Sequence, residues 1–205
     1  MAQVTAPRGE DRVLTVANGF TAVRLLCVPI FVWLLARPHH RGWFPAAVLL
    51  AALGATDWVD GQLARRLHQV TRLGKVLDPT ADRILLATAT IGILSVGAVP
   101  WPIALVALAR ECLVAGGAIA LTVAGVEPIE VSLAGKAGTF GLMCALPLFL
   151  AAHSTISWHA TAHVLAWVCA LAGLVMGWVA VAIYVPLATA AFGQRHIPST
   201  EEAAR

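Results

Sequence analysis

Four carboxylates, Asp57, Asp60, Asp78 and Asp82, stand at fixed gaps in a chain that is otherwise suited to lipid. The stretch reads Asp57-Trp-Val-Asp60-Gly61-Gln-Leu-Ala64-Arg65, then eight residues, Gly74, three residues, Asp78, three residues and Asp82. On a helix of 100° per residue, Asp57, Asp60, Gly61, Ala64 and Arg65 fall within an arc of about 140°. A second helix presents Asp78 and Asp82 on one face by their i, i+4 spacing, with Gly74 and Lys75 at its mouth. Intramembrane acids are costly unless paired or metal-bound, and few cations lie directly beside these. Hard divalent cations resolve that cost, because oxygen ligands without Cys or His suit Mg²⁺, Mn²⁺ or Ca²⁺ rather than zinc. Such ions commonly serve phosphate groups, bridging and neutralising phosphoryl oxygens during displacement. Gly61 and Ala64 leave room for a ligand against the backbone, and Arg65 and Lys75 balance an anion's charge.

The elements that must hold these residues are membrane helices. Of the 205 residues, 59% are hydrophobic and 12% charged, and the mean hydropathy is +0.80, which excludes an ordinary soluble domain. The run Ala137–Gln194 contains no Asp, Glu, Lys or Arg and is long enough for two crossings of roughly 20 residues each. The fold class expected is an all-α integral membrane protein of six transmembrane helices, with room for a short N-terminal interfacial helix over Val4–Leu14. The six spans are expected near 18–35, 44–67, 74–99, 103–123, 135–152 and 164–188, with His153–His163 as a loop. The domain reading is an interfacial segment over 1–17, a six-span domain over 18–190 and a cytoplasmic tail over 191–205. Met1–Thr15 lacks the small-residue cleavage site of a signal peptide, so the first apolar run is read as a retained span. Cys27, Cys112, Cys144 and Cys169 lie in apolar runs without C-x-x-C spacing and read as packing residues. No Lys/Arg-aromatic clustering of a nucleic-acid binder is present, so the partner is the lipid bilayer and no nucleic acid is expected.

Spans two and three, joined by a short polar connection, bring all four acids to one membrane face. Arg65, Arg66, Arg72 and Lys75 flank that connection, whereas the turn near Pro100 and the loop near Ser157 carry no cation. The positive-inside bias therefore puts the acids on the cytoplasmic side of a multi-pass protein of the cytoplasmic (inner) membrane, against the opposing pull of Arg37 and Arg41. Elsewhere, Asn18, Thr21 and Arg24 form a polar stripe on the first span. Arg110 and Glu111 interrupt the fourth in mid-run, and being about 100° apart they oblige at least one to look into the bundle. Lys136 stands at the start of the fifth.

At this point the residues resemble a known family. The signature D-x-x-D-G-x-x-A-R-x8-G-x3-D-x3-D of the CDP-alcohol phosphatidyltransferases is matched at every fixed position by Asp57, Asp60, Gly61, Ala64, Arg65, Gly74, Asp78 and Asp82. The resemblance implies metal-dependent transfer of a phosphatidyl group from CDP-diacylglycerol to an alcohol acceptor, with release of CMP. Carried over by position, Asp57, Asp60 and Asp78 are ligands of two Mg²⁺ or Mn²⁺ ions. Asp82 also lies at the metals and is the general base. Thr21, Gly61, Ala64, Arg65, Gly74 and Lys75 line the CDP-lipid, and Arg24, Arg110 and Lys136 are candidates for the acceptor. The family is often dimeric, and a homodimer is expected on that ground alone.

Asn18-x-x-Thr21-x-x-Arg24, Arg110-Glu111 and Gly135-Lys136 resemble the phosphatidylglycerophosphate synthase branch, so the acceptor expected first is glycerol-3-phosphate, giving phosphatidylglycerophosphate. Members of that branch usually carry Gly-Lys-x-Lys-Thr here, and this chain reads Gly135-Lys136-Ala137-Gly138-Thr139. One cation fewer also admits an uncharged hydroxyl acceptor, or phosphatidylglycerol as in a cardiolipin synthase of the same superfamily. A reading from a different class is a divalent-cation transporter, which also uses convergent intramembrane acids. It calls for acids at mid-depth along a path and gives no role to Gly61, Ala64 and Gly74.

Overall fold

The computed structural model describes residues 16–37, 43–66, 72–123 and 132–193, with side chains described chiefly over 22–37, 43–56, 83–121 and 132–186. Six helices follow in order: α1 (Val16–Leu35), α2 (Trp43–Arg66), α3 (Arg72–Ser95), α4 (Trp101–Val123), α5 (Leu133–Ala152) and α6 (His159–Gly193). The interfacial segment expected over Val4–Leu14 and the tail beyond Gly193 lie outside the described residues.

Neighbouring helices close a ring: α1 touches α2, α2 touches α5, α5 touches α6, α6 touches α4, α4 touches α3, and α3 returns to α1, with a further α3–α5 contact across it. Successive helices alternate in direction. From Arg66 to Arg72 the chain can span at most about 22 Å, while α2 is about 36 Å long, so α3 must start at the end where α2 stops. Ring contacts show the same for α5. Trp43, at the start of α2, stands 6.5 Å from His153 past the end of α5, and Gly54 faces Met143. The last turns of α2, the first turns of α3 and the first turn of α5 thus share one end of the bundle.

The opposite end is built from local signals. Gly97 adopts φ +73, its N–H donates to the Leu94 carbonyl at 3.0 Å, and the Ala98 N–H reaches Ile93 at 3.1 Å. This paired closure stops α3, and a glycine carries the left-handed backbone at least cost. Pro102, just ahead of the span expected over 103–123, falls in the first turn of α4, where a missing N–H costs nothing. A second difference concerns α6. It begins at His159 rather than near Val164, so His159 and His163, expected in a loop, sit on its first turns.

Packing is inside-out relative to a soluble bundle. Phe31, Ala46, Ala89, Ile93, Phe149 and Leu150 are fully buried, whereas Leu26, Trp33, Ile119, Val168, Leu171 and Val175 are exposed. Large exposed aliphatic residues on nearly every outer helix face require a lipid solvent, and the chain is an all-helical membrane protein. Trp101–Leu121, Leu133–Ala152 and His159–Pro186 are long and apolar enough to cross a membrane. Among the described residues, α1, α2 and α3 carry shorter apolar stretches, Ala22–Leu35, Trp43–Thr56 and Arg83–Ser95.

The closest approach in the bundle joins α5 and α6, antiparallel. Along it Gly138 meets Gly177, Gly141 meets Gly173, and Phe149 meets Trp167 edge-on at 5.9 Å. A Cβ on Gly138 would lie 2.6 Å from the Gly177 nitrogen, and one on Gly141 2.7 Å from the Gly173 Cα. These are backbone atoms, which cannot step aside. Small residues allow such contact in lipid, where association depends on van der Waals packing. Ala162, Ala166, Ala170 and Ala180 extend the small face of α6, all fully buried.

Gly141→Ala is therefore expected to destabilise the bundle by about 1–3 kcal/mol. Gly116→Ala on α4, where an added Cβ meets nothing within 4 Å, should stay within about 0.5 kcal/mol. Thermal unfolding of both variants in the same detergent checks the contrast.

Candidate active site

The backbone of the carboxylate stretch is helical on both sides of its connection. Asp57, Asp60, Gly61, Ala64 and Arg65 occupy the last turns of α2, and Gly74, Lys75, Asp78 and Asp82 the first turns of α3. The helical register expected for each group is therefore present, and both groups lie at the same end of the bundle. Their side chains fall outside the described residues, as do those of Asn18 and Thr21. Immediately before the stretch, the Thr56 hydroxyl donates to the Ala52 carbonyl at 2.7 Å and is spent within the helix.

Arg24 lies on α1, the helix that touches both α2 and α3, and is only 3% exposed. It is a buried side chain of the bundle, not a snorkelling one. An apolar cleft of about 850 Å³ opens between α2 and α5. Its walls include Ala47, Ala51, Gly54, Met143 and Pro147, and it runs from Trp158 at the far end up to Ala55, two residues before Asp57.

The third group of candidates comes together around the start of α5. Ser132 caps this helix, its Oγ accepting the Gly135 N–H at 3.2 Å, which satisfies one of the free amides of the first turn. The Ser132 N–H in turn donates to the Tyr184 hydroxyl of α6. From α4, Arg110 donates through Nη1 to Thr139 Oγ1 at 3.0 Å, through Nη2 to the Gly135 carbonyl at 3.2 Å, and pairs with Glu111. Both members of the pair are drawn inside, Arg110 at 4% exposure and Glu111 nearly buried, although they are neighbours in sequence. Arg110 Nε is buried without a hydrogen-bond partner. It lies on Gly177, 3.1 Å from the place where a Cβ would stand. Lys136, by contrast, is exposed on the first turn.

Two of these features escaped the sequence reading: the role of Gly138 and the part played by Tyr184. Gly173-x3-Gly177, a close-approach pattern inside an apolar span, is the signal that could have revealed the first. Nothing in the sequence marks Tyr184 beyond its being the single tyrosine of the chain.

A sequence profile of the CDP-alcohol phosphatidyltransferase family matches residues 14–188. The chain belongs to the CDP-alcohol phosphatidyltransferase family. The match spans all of α1 to α5 and most of α6, so the helical ring and the carboxylate stretch are both part of the family's shared domain. As a member it is a phosphatidyltransferase, an enzyme of phospholipid synthesis. Cardiolipin synthase (CMP-forming) of Streptomyces coelicolor is 39% identical over 181 residues, 85% of this chain and 83% of that protein. A putative cardiolipin synthase of Mycobacterium tuberculosis is 38% identical over 168 residues, 82% of this chain and 78% of that protein. CDP-diacylglycerol–glycerol-3-phosphate 3-phosphatidyltransferase of Bacillus subtilis is 31% identical over 145 residues, 65% of this chain and 75% of that protein.

Within this family the glycine at 138 has a physical cause in the present chain: its Cα faces the α6 backbone, and no side chain fits there. Gly138→Lys, which restores Gly-Lys-x-Lys-Thr, is expected to lower the unfolding temperature. Thermal unfolding of the purified variant checks it.

Proposed function

We propose that this transferase uses CDP-diacylglycerol as donor and phosphatidylglycerol as acceptor, forming cardiolipin and CMP. The observation that carries the choice of acceptor is the burial of Gly138 against Gly177, which leaves Lys136 as the one exposed cation of the Gly135–Thr139 segment. A phosphate monoester such as glycerol-3-phosphate carries close to two negative charges and favours paired cations. A phosphodiester lipid carries one and needs fewer. The extensive matches to proteins named cardiolipin synthase support the same reading, and the apolar cleft that reaches Ala55 on α2 suits an acyl chain of a lipid substrate. Glycerol-3-phosphate is the second reading, favoured by Lys136 itself and by the Bacillus relative.

In this reading all six helices cross the cytoplasmic membrane, with the carboxylate end toward the cytoplasm. Residues 18–190 form the catalytic domain between the segment 1–17 and the tail 191–205. The four aspartates, an all-oxygen donor set brought to one end by α2 and α3, fit hard divalent cations. Asp57, Asp60, Asp78 and Asp82 would hold two Mg²⁺ or Mn²⁺ ions. When bound, these ions neutralise the donor's pyrophosphate and stabilise departing CMP. Asp82 accepts the proton of the acceptor hydroxyl, whose oxygen attacks the phosphorus nearer the lipid as the bond to the CMP oxygen breaks. Gly61, Ala64 and Gly74 keep the wall beside the nucleotide free of side chains. Thr21 joins the residues that line the CDP-lipid, and Arg65 and Lys75 balance its charge.

Purified protein given labelled CDP-diacylglycerol with phosphatidylglycerol, glycerol-3-phosphate or inositol phosphate in parallel tests the acceptor, with products identified by mass. Cardiolipin is expected as the main product; phosphatidylglycerophosphate alone would contradict the assignment. Asp82→Asn is expected to lower turnover by about 100-fold or more, in line with the loss of a general base, without loss of folded protein by size-exclusion chromatography.

A further inference from the structure

The start of α5 is held more firmly than helix formation requires. Ser132 alone supplies the cap. Three further ties reach the first two turns from two other helices: Arg110 to Gly135, Arg110 to Thr139 and Tyr184 to Ser132. They determine where the turn sits, not whether it forms. The residue that follows Gly135 is Lys136, exposed at the end of the bundle that carries the aspartates.

Arg110 itself is badly placed to bind a substrate. Both Nη atoms are engaged, by Glu111, Thr139 and Gly135, Nε is packed on Gly177, and the residue is 4% exposed. A cation held in mid-helix within an apolar bundle is expensive even when paired with a carboxylate. A structural role alone would be met equally well by apolar packing. Directional bonds to one helical turn are what a guanidinium adds and an aliphatic side chain does not.

We propose that Arg110 is a positioning residue: with Tyr184 it fixes the first turn of α5, and through that turn it places Lys136 against the acceptor. This rests on Lys136 meeting the acceptor. It holds for either acceptor, because both present a phosphate to the same cation.

The test is a double-mutant cycle on the purified full-length enzyme, with acceptor KM, CDP-diacylglycerol KM and kcat measured separately. Arg110→Gln is expected to raise the acceptor KM by about 10-fold or more, the order expected for losing hydrogen bonds to a charged group. The CDP-diacylglycerol KM should change far less, and Arg110→Lys should recover part of the loss. Tyr184→Phe should move the acceptor KM in the same direction by a smaller factor. In a Lys136→Ala background, neither Arg110→Gln nor Tyr184→Phe should raise the acceptor KM further.

Additive effects in that background would overturn the inference, since Arg110 would then act independently of Lys136. So would a folded Arg110→Gln enzyme with unchanged acceptor KM. If Arg110→Gln yields no folded protein, the Tyr184→Phe and Lys136→Ala cycle decides by the same criterion. An unchanged acceptor KM in Lys136→Ala alone overturns the assignment of Lys136 and the inference with it. A raised KM there with additivity overturns the inference only.

Discussion

The architecture depends on one approach of backbone to backbone, where α5 and α6 meet at Gly138, Gly141, Gly173 and Gly177. In lipid, two helices gain little by hiding apolar surface from each other, so their association rests on how closely their atoms can pack. Four glycines remove the side chains that would hold these helices apart. The same approach leaves a shelf at Gly177 on which the stem of Arg110 lies. Three helices are thereby joined at one level, and the first turn of α5 takes its position from that junction.

The junction also explains a substitution that sequence alone presents as a simple loss. Lysine would be tolerated at 138 only if α6 stood further away. A tighter α5–α6 pair and a second cation at 138 are thus mutually exclusive in this backbone, and the chain has the former. In the proposed reading, where Lys136 meets the acceptor, the acceptor site and the packing of the bundle are linked through that single residue.

Much of this was legible from residue types and spacing. The carboxylate stretch could be read because its gaps match a helical period on each side of a short connection, and the structure supplies helices at both places. The helix limits of α1, α2, α4 and α5 fall within about two residues of the expected ones, since charge-free runs bounded by Arg, Pro and polar clusters are strong signals. The start of α6 was less legible: His159 and His163 are polar yet helical, because the Ala162 amide already bonds to Trp158. The fate of Arg110 could be read only in part: its angle to Glu111 obliges one of the two to look into the bundle. Periodicity places it on α4, but its partners come from α4, α5 and α6 at once, and only the packing of all three decides whether it faces substrate or structure.

In the proposed reading the aspartates at the junction of α2 and α3 carry out transfer from a CDP-linked lipid. The most direct test of that reading is CMP release by the purified protein from CDP-diacylglycerol and phosphatidylglycerol, with and without Mg²⁺ or Mn²⁺. Release is expected to require both the ion and the acceptor hydroxyl and to stop on chelation. Absence of CMP with every alcohol tried, together with divalent-cation flux through liposomes holding the same protein, would contradict it.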